Sequence, residues 1–359
     1  MKKVVCITGI ASQPRFIKRI QTLLSAGFDV TVYGHNREGY LGNVLPEGVE
    51  YIDKGMQKDG QDYLSKICSG YQDVKELTKK YKGQDVVFYS FSLLTALWFF
   101  LRKANYLYEI SDILYGYKRL GMLEPILKRL DKRIIKKSKL TIMTSEGFKR
   151  YFFGDKLIEN VLVQPNKVNS NIQLESREIK RVGESINFSF IGAIRYFDTI
   201  LRFAKVVGTK FPNHKFHFWG DSSFGNAFKE ECKGYSNVIF HGKFKNPEDL
   251  NHIYDNTDVV VACYENSNLN ERIAEPNKMY EAILYCKPIV VQKNTFVAAR
   301  VQEYKCGYAI DSYSDTEIEE FIKSLSRKEM EVVSNTELSV DLTNLLDNPN
   351  AIIERLEKV

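Results

Sequence analysis

The sequence has few of the residue patterns from which metal sites are built. Its six cysteines are scattered and form no CxxC pair. Several of them lie in apolar runs, which is typical of small buried core residues in a reducing compartment. The five histidines show no HxxxH or HxH spacing. We therefore expect no metal site and a cytoplasmic protein.

A membrane-spanning segment and a strong net charge are also missing. The longest apolar run, residues 86–101, is interrupted by Ser90 and Ser92. It is shorter than the roughly 20 residues that a spanning helix needs, so it favours a strand followed by a helix. An apolar segment begins directly after Lys3, so we expect no signal peptide. The net charge of +6 is mild and confined, and no aromatic stacking surface accompanies it. We therefore expect no nucleic-acid partner.

Short apolar runs alternate with helical patterns along most of the chain. A length of 359 residues favours two domains over one core. In the first half, runs of this kind predict seven buried strands, near residues 4–8, 28–33, 49–52, 86–89, 106–110, 140–143 and 161–163. Strands that alternate with helices in this way indicate a parallel, doubly wound sheet.

The alternation stops near residue 170 and then starts again. Residues 166–184 are polar and aperiodic, which predicts a linker. Six further strands are predicted near residues 186–191, 215–219, 238–241, 258–263, 288–291 and 307–310. We therefore predict an α/β fold of two doubly wound Rossmann-like domains, residues 1–168 and 184–337, with a ligand cleft between them. Residues 338–359 are predicted to form a helix that packs back on the first domain.

The most informative stretch is residues 275–291, which predict a helix, a short break and a buried strand. Pro276 is expected in the first helical turn, where free backbone N–H groups can bind an anion. Glu281 lies about one turn further along, where a carboxylate can accept hydrogen bonds from two hydroxyls. An anion site beside an acceptor for a diol suits a nucleotide whose ribose carries a diphosphate.

Seven landmarks occur in an order that resembles the retaining GT-B glycosyltransferases (glycosyl transferases group 1, family 4-like). They are residues 14–16, 23–30, 108–112, 144–148, 163–166, 191–195 and 275–291. The resemblance implies a sugar transfer from a nucleotide-diphosphate donor to a hydroxyl acceptor with retention of configuration. The donor would bind the second domain and the saccharide acceptor the first. The resemblance also implies that the reaction needs no cofactor and no metal, because helix ends and basic side chains neutralise the phosphate in this fold.

The resemblance also assigns roles to individual residues. Glu281 is expected on the ribose, and Arg195 and Lys278 on the departing diphosphate, where fixed positive charge favours the reaction most. Further donor contacts are predicted at Gly192, Pro276, Asn277 and Met279. Asp112 is expected to contact sugar hydroxyls during catalysis. Contacts on the acceptor side are predicted at Gly9, Arg15 and Glu109, although Asp112 and Glu109 could equally organise a loop.

Two positions depart from the family pattern. Many relatives carry an acid eight positions before Glu281, and this chain has Ile273 there, with Glu271 and Glu275 out of register. No lysine follows Arg195 at the usual place, so Lys278 is a candidate replacement. Because no strong carboxylate base stands out, the leaving phosphate itself is expected to act as the base. Two other hypotheses stay open: a nucleotide-sugar epimerase and a non-catalytic GT-B-like partner protein.

Residues 120–139 combine an apolar stripe with a basic cluster. Seven basic residues and Asp131 lie between Lys128 and Lys139. The stripe consists of Leu123, Ile126, Leu127, Leu130 and Ile134. One interpretation is a helix that packs on the sheet with a solvated basic face. The other is a peripheral contact with the anionic inner face of the cell membrane. The second interpretation favours a lipid-linked acceptor in cell-surface polysaccharide biosynthesis.

Overall fold

The computed structural model describes residues 2–11, 13–37, 45–57, 63–117, 122–170, 172–174, 177 and 184–358. The chain forms two compact units, one of Met1–Pro165 with Asn348–Val359 and the other of Asn166–Asp347. The described parts of the predicted linker are therefore counted with the second unit. The part of the tail that returns to the first unit begins at Asn348, not at residue 338.

The first unit contains a sheet of seven parallel strands in the order β3-β2-β1-β4-β5-β6-β7. The strands are β1 (Lys3–Thr8), β2 (Asp29–Arg37), β3 (Glu50–Gln57), β4 (Val86–Ser90), β5 (Tyr106–Ile110), β6 (Leu140–Met143) and β7 (Val161–Val163). The helices between them are α1 (Pro14–Ser25), α2 (Tyr63–Lys80), α3 (Leu93–Leu101), α4 (Glu124–Lys137) and α5 (Glu146–Phe153). The strand order reverses direction at β1 and β4, as in a doubly wound sheet.

The second unit repeats this architecture with six parallel strands in the order β10-β9-β8-β11-β12-β13. The strands are β8 (Asn187–Ile191), β9 (Lys215–Trp219), β10 (Val238–Gly242), β11 (Val259–Ala262), β12 (Ile289–Gln292) and β13 (Gly307–Ile310). The helices are α6 (Arg202–Lys210), α7 (Gly225–Glu231), α8 (Leu250–Asp255), α9 (Leu269–Ile273), α10 (Asn277–Leu284), α11 (Phe296–Tyr304), α12 (Asp315–Ser324) and α13 (Arg327–Leu338). The prediction of two doubly wound α/β sheets is confirmed.

All thirteen predicted strands occur in the described structure, with their ends shifted by a few residues at most except in β2 and β3, which run further. The agreement follows from burial. Parallel strands covered on both faces consist of continuous apolar runs, as in the fully buried β4 and β6. Apolar runs of this length, separated by turn residues, therefore predict buried strands.

The tail differs from the single helix predicted over residues 338–359. Helix α13 ends at Leu338, a 3₁₀ turn covers Leu342–Asn344, and α14 runs from Asn350 to Glu357. Pro349 is the N-cap of α14, and a proline cannot donate the backbone hydrogen bond that a continuous helix would need there. Ile352 and Leu356 of α14 pack in the core of the first unit.

Arg177 orders part of the segment predicted as a linker. Its guanidinium donates hydrogen bonds to the carbonyl oxygens of Ile283 and Leu284 at the end of α10. It also donates to the carbonyl oxygens of Glu337 and Leu338, the last residues of α13, and of Val340 just after it. The last carbonyls of a helix lack an intrahelical partner and need other donors. Arg177 therefore caps two helices at once.

Candidate functional site

Two glycines shape the loop that follows β8 in the second unit. Gly192 has φ +140° and Gly220 has φ +132°, conformations that other residues rarely adopt. A Cβ atom on Gly220 would lie 2.0 Å from the carbonyl oxygen of Gly192. The amide of Gly192 donates to the carbonyl of Trp219 at 2.8 Å. The chain can therefore turn sharply at the carboxyl ends of β8 and β9 only because both residues lack a side chain.

This turn borders a cavity of about 220 Å³ in the second unit. The cavity is lined by Phe190, Ile191, Gly192, Ala193, Arg195, Tyr264, Asn277 and Lys278. Two distant segments of the chain thus bring together four of the predicted donor and catalytic residues, Gly192, Arg195, Asn277 and Lys278. Their chemical roles stay predictions.

The start of α10 forms one wall of this cavity. Pro276 has extended backbone angles and is the N-cap, so the helix starts at Asn277, one residue later than expected. The N–H groups of the first turn of a helix have no intrahelical acceptor, and the helix dipole favours an anion there. With Arg195 and Lys278 beside them, these groups make the cavity suitable for a diphosphate.

Glu281 lies behind this wall, and its carboxylate is held by three side chains. Oε2 accepts hydrogen bonds from the Tyr254 hydroxyl at 2.8 Å and from Lys278 Nζ at 2.6 Å. Oε1 accepts one from Asn277 Nδ2 at 2.9 Å. The Glu281 side chain is only 4% exposed. Burial and the neighbouring Glu281 carboxylate raise the pKa of Tyr254 well above its usual range, so this phenol keeps its proton for the hydrogen bond.

The two cations of the site have different surroundings. Lys278 is buried and paired with Glu281, so its charge is largely compensated in the absence of an anion. Arg195 is exposed, and its guanidinium lies 5.0 Å from the ring centroid of Tyr196. Among the described residues, no carboxylate forms an ion pair with Arg195. The charge of Arg195 is therefore available to a ligand without breaking a salt bridge.

Met279 was predicted to contact the donor, and its side chain points into the protein core. It is fully buried in the core of the second unit together with Ile283 and Leu284. Helical geometry explains this, because Met279 and Ile283 lie one turn apart on the face of α10 that covers the sheet. A donor could therefore reach only the backbone of Met279, and its predicted donor contact stays a prediction.

Neither of the two glutamates near Ile273 replaces the acid that is missing at that position. Glu271 forms a capping box with Asn268 at the start of α9. Glu275 is buried, where its carboxylate accepts a hydrogen bond from the Tyr280 hydroxyl at 2.5 Å and pairs with Arg300 at 3.0 Å. Both carboxylates therefore stabilise local structure.

In the first unit, Glu109 is the centre of a buried network of hydrogen bonds and ion pairs. Its Oε2 accepts from the Tyr89 hydroxyl at 2.5 Å and from Arg19 Nε at 3.1 Å. Arg15 Nε lies 3.2 Å from Oε1. These partners hold the Glu109 carboxylate in place, which fits the alternative that Glu109 organises local structure; its acceptor contact stays a prediction. Sequence reasoning missed Arg19, although an arginine on the apolar face of α1 is a signal for a buried carboxylate.

Gly9 and Asp112 are exposed at the carboxyl ends of two strands. Gly9 directly follows β1, and Asp112 lies two residues after β5. Asp112 accepts a hydrogen bond from the Tyr117 hydroxyl at 3.4 Å. Ligands of doubly wound sheets bind at this edge. The roles predicted for Gly9, Asp112 and Arg15 therefore stay predictions.

Helix α4 covers most of the basic segment, and only part of its apolar stripe is buried. Ile134 is fully buried in the first unit, whereas Ile126 is 65% exposed and Leu123 is 49% exposed. The adjoining Met122 is 98% exposed. The interpretation that the whole stripe packs on the sheet is therefore wrong for its N-terminal half. We call Met122, Leu123 and Ile126 the apolar tip.

In the part of the chain that the structure covers, no group of three or more His, Cys, Asp or Glu side chains is arranged to hold a metal ion. No described helix is both long and apolar enough to span a bilayer. All six cysteines are free thiols.

Comparison with known proteins gives a family-model match and one relative in sequence. Residues 173–339 match the family model described as glycosyl transferases group 1. The succinoglycan biosynthesis protein ExoL of Rhizobium meliloti (strain 1021) is 20% identical over 331 residues, which cover 87% of this chain and 81% of that protein.

Several solved structures share the fold along the whole chain. Sucrose-phosphate synthase from Thermosynechococcus elongatus has a TM-score of 0.71 at 12% identity, covering 100% of this chain and 98% of that one. Anabaena Alr3699/HepE in complex with UDP and glucose has a TM-score of 0.67 at 13% identity, covering 100% and 99%. WaaG, a glycosyltransferase involved in lipopolysaccharide biosynthesis, has a TM-score of 0.65 at 16% identity, covering 98% of each chain.

Proposed function

We propose that this chain moves a sugar from a nucleoside-diphosphate sugar to a hydroxyl acceptor with retention of configuration. The match of residues 173–339 to the glycosyl transferases group 1 family model and the GT-B fold support this proposal. The observation that carries this proposal is the cavity where the start of α10 meets Arg195 and Lys278. A helix N-terminus with two cations suits the diphosphate of a donor.

The proposed chemistry is charge stabilisation of the leaving group. As the bond from the sugar carbon to the phosphate oxygen breaks, negative charge grows on the diphosphate, and Arg195 and Lys278 would stabilise it. The same phosphate would accept the proton of the acceptor hydroxyl. Asp112 would contact hydroxyls of the sugars, and Gly9 and Arg15 would lie on the acceptor side. No metal is required in this proposal, because the helix end and the two cations supply the positive charge.

Glu281 is proposed to bind the ribose, through Oε1. Oε2 already accepts two hydrogen bonds and Oε1 accepts one, from Asn277, which lines the cavity. A carboxylate offers about four acceptor positions, and the three described donors occupy three of them. A ribose hydroxyl would use the fourth position or displace Asn277.

The acceptor is proposed to be a lipid-linked saccharide of cell-surface polysaccharide biosynthesis, reached from the cytoplasmic face of the membrane. The apolar tip would enter the headgroup region, while the basic residues of α4 would attract anionic lipid at about 1 kcal/mol each. The relatives ExoL and WaaG are named for succinoglycan and lipopolysaccharide biosynthesis, respectively. The free, mostly buried thiols suit the reducing cytoplasm.

A thermal-shift panel with UDP, GDP, ADP and dTDP tests the donor proposal. A nucleotide present at 100 times its Kd stabilises the folded state by about 2.7 kcal/mol, which shifts the melting temperature by several degrees. No shift with any of the four would refute the donor site. A shift without donor hydrolysis or sugar transfer would instead favour the non-catalytic partner hypothesis, and interconversion of donor epimers would favour the epimerase.

A further inference from the structure

Tyr196 has a backbone conformation that bulky residues rarely adopt. Its φ of 75° and ψ of 74° lie in the left-handed region, where Asn and Gly are the usual residues. It directly precedes the π-helical turn Phe197–Leu201, whose Ile200 and Leu201 amides both donate to the Tyr196 carbonyl. Strained residues and π-helical turns both concentrate at functional sites.

This conformation places the Tyr196 ring in a stack beside the cavity. The ring lies against that of Tyr264, with centroids 4.9 Å apart and an interplanar angle of 23°. Tyr264 lines the cavity and packs edge-on against Phe190 of the buried strand β8, at 6.4 Å and 73°. We call the stacked pair Tyr196 and Tyr264 the aromatic platform.

Arg195 contacts the Tyr196 ring of this platform. Its guanidinium is 5.0 Å from the Tyr196 ring centroid, a distance at which a cation is attracted to the ring face. An ion pair with a carboxylate would also hold the guanidinium, but it would neutralise the charge. An aromatic face restricts the side chain and leaves its five N–H donors for a ligand.

We propose that the aromatic platform is a positioning device for Arg195, which sets its guanidinium toward the diphosphate of the donor without compensating its charge. Tyr196 and Tyr264 are thus positioning residues that act through Arg195 and do not themselves touch the reacting atoms. This inference rests on the proposed function, because it needs an anionic ligand in the cavity. It explains why the chain tolerates a tyrosine in the left-handed region at this position.

The test is a binding cycle with UDP and uridine as probes. Tyr264→Leu removes the stack, and Tyr196→Asn removes the ring with a residue that the left-handed region accepts. Each is expected to weaken UDP binding about 3- to 10-fold, the range expected for one cation–π contact, and to leave uridine binding unchanged. Tyr264→Phe keeps the stack and should bind UDP like the wild type.

The Arg195→Met background makes the cycle decisive. If the platform acts through Arg195, then Tyr264→Leu adds no further loss of UDP affinity there. Tyr304→Leu is the matched control, because it removes another arginine–tyrosine contact of the same unit, that of Arg300 at 4.9 Å. It should leave UDP affinity unchanged.

Two results overturn the proposal while the proposed function stands: an equal loss with uridine, or the same loss from Tyr264→Leu in the Arg195→Met background. A wild-type protein that binds none of UDP, GDP, ADP and dTDP is a different outcome, and it overturns the donor site together with the platform. Circular dichroism melting of each variant identifies any variant that loses binding because it does not fold.

Discussion

Replacing Arg177 with alanine should destabilise the second unit strongly. The side chain donates five hydrogen bonds to backbone carbonyls, and the shortest, to Glu337, is 2.8 Å. A hydrogen bond from a charged donor contributes about 1.5–3 kcal/mol. Three of the five are 3.3 Å or longer and the guanidinium is half-buried, so the contributions do not simply add. We expect a loss of about 3 kcal/mol in the free energy of unfolding.

The distribution of tryptophan makes this measurable within one unit. The chain has two tryptophans, Trp98 in the first unit and Trp219 in the second. In a Trp98→Phe background, fluorescence therefore reports the unfolding of the second unit alone. With an m-value of about 2 kcal/mol/M in urea, the expected loss lowers the midpoint by about 1.5 M.

Two further variants decide whether the capping geometry is responsible. Arg177→Lys keeps the charge and loses the planar fork, so its midpoint should lie between those of the wild type and Arg177→Ala. Arg272→Ala removes an exposed arginine of α9 and should leave the midpoint unchanged within about 0.3 M. If Arg177→Ala and Arg272→Ala gave the same midpoint, the argument that Arg177 caps α10 and α13 would be refuted.

Three other predictions concern the donor site, the pH dependence and the membrane. If Glu281 binds the ribose, calorimetry should show that the wild type binds UDP more tightly than 2′-deoxy-UDP, and Glu281→Gln should reduce this difference. If the ratio of the two affinities were the same in Glu281→Gln, the role of Glu281 would be limited to holding Lys278. The pKa of His217 is lowered to about 4, mainly by burial and further by the nearby His241 and Lys215. As the pH falls below 6.5, this histidine therefore binds a proton in the unfolded chain before it does so in the folded protein. Urea titrations should show a stability loss of about 2 kcal/mol from this group between pH 7 and pH 5, which His217→Phe removes; equal losses in both proteins would contradict it. Ile126→Asp in the apolar tip should reduce pelleting of the protein with anionic vesicles at low salt. The control Leu157→Asp, at a site that is 93% exposed in the same unit, should pellet like the wild type. If the wild type itself did not pellet, membrane contact would be refuted.

The sequence predicted those features that depend on neighbouring residues along the chain. Buried parallel strands are contiguous apolar runs, so β5, β6 and β7 were placed at their observed ends. Gly192 and Arg195 were predicted from the resemblance to GT-B glycosyltransferases, because residues 191–195 resemble the first turn of the second domain in that family. Both do line the cavity.

Features that depend on partners distant in sequence were not predicted. Glu281 is held by Tyr254 of α8, and nothing in the periodicity of α8 indicates that contact. The network around Glu109 needs Arg19 from a helix 90 residues earlier in the chain. Arg177 lies in a segment without periodicity, so its two helix caps had no sequence signature.

Arg177 and the cavity lie at opposite ends of the same helix. Helix α10 has eight residues and is therefore about 12 Å long. Its first turn faces the proposed diphosphate, and its last carbonyls are held by Arg177. A screen that scores sugar transfer alone would thus rank Arg177 among the residues of the reaction, because a loosened helix end shifts the anion-binding turn. Separating the two kinds of residue in this protein requires that stability be measured beside activity for every variant of α10 and its cap.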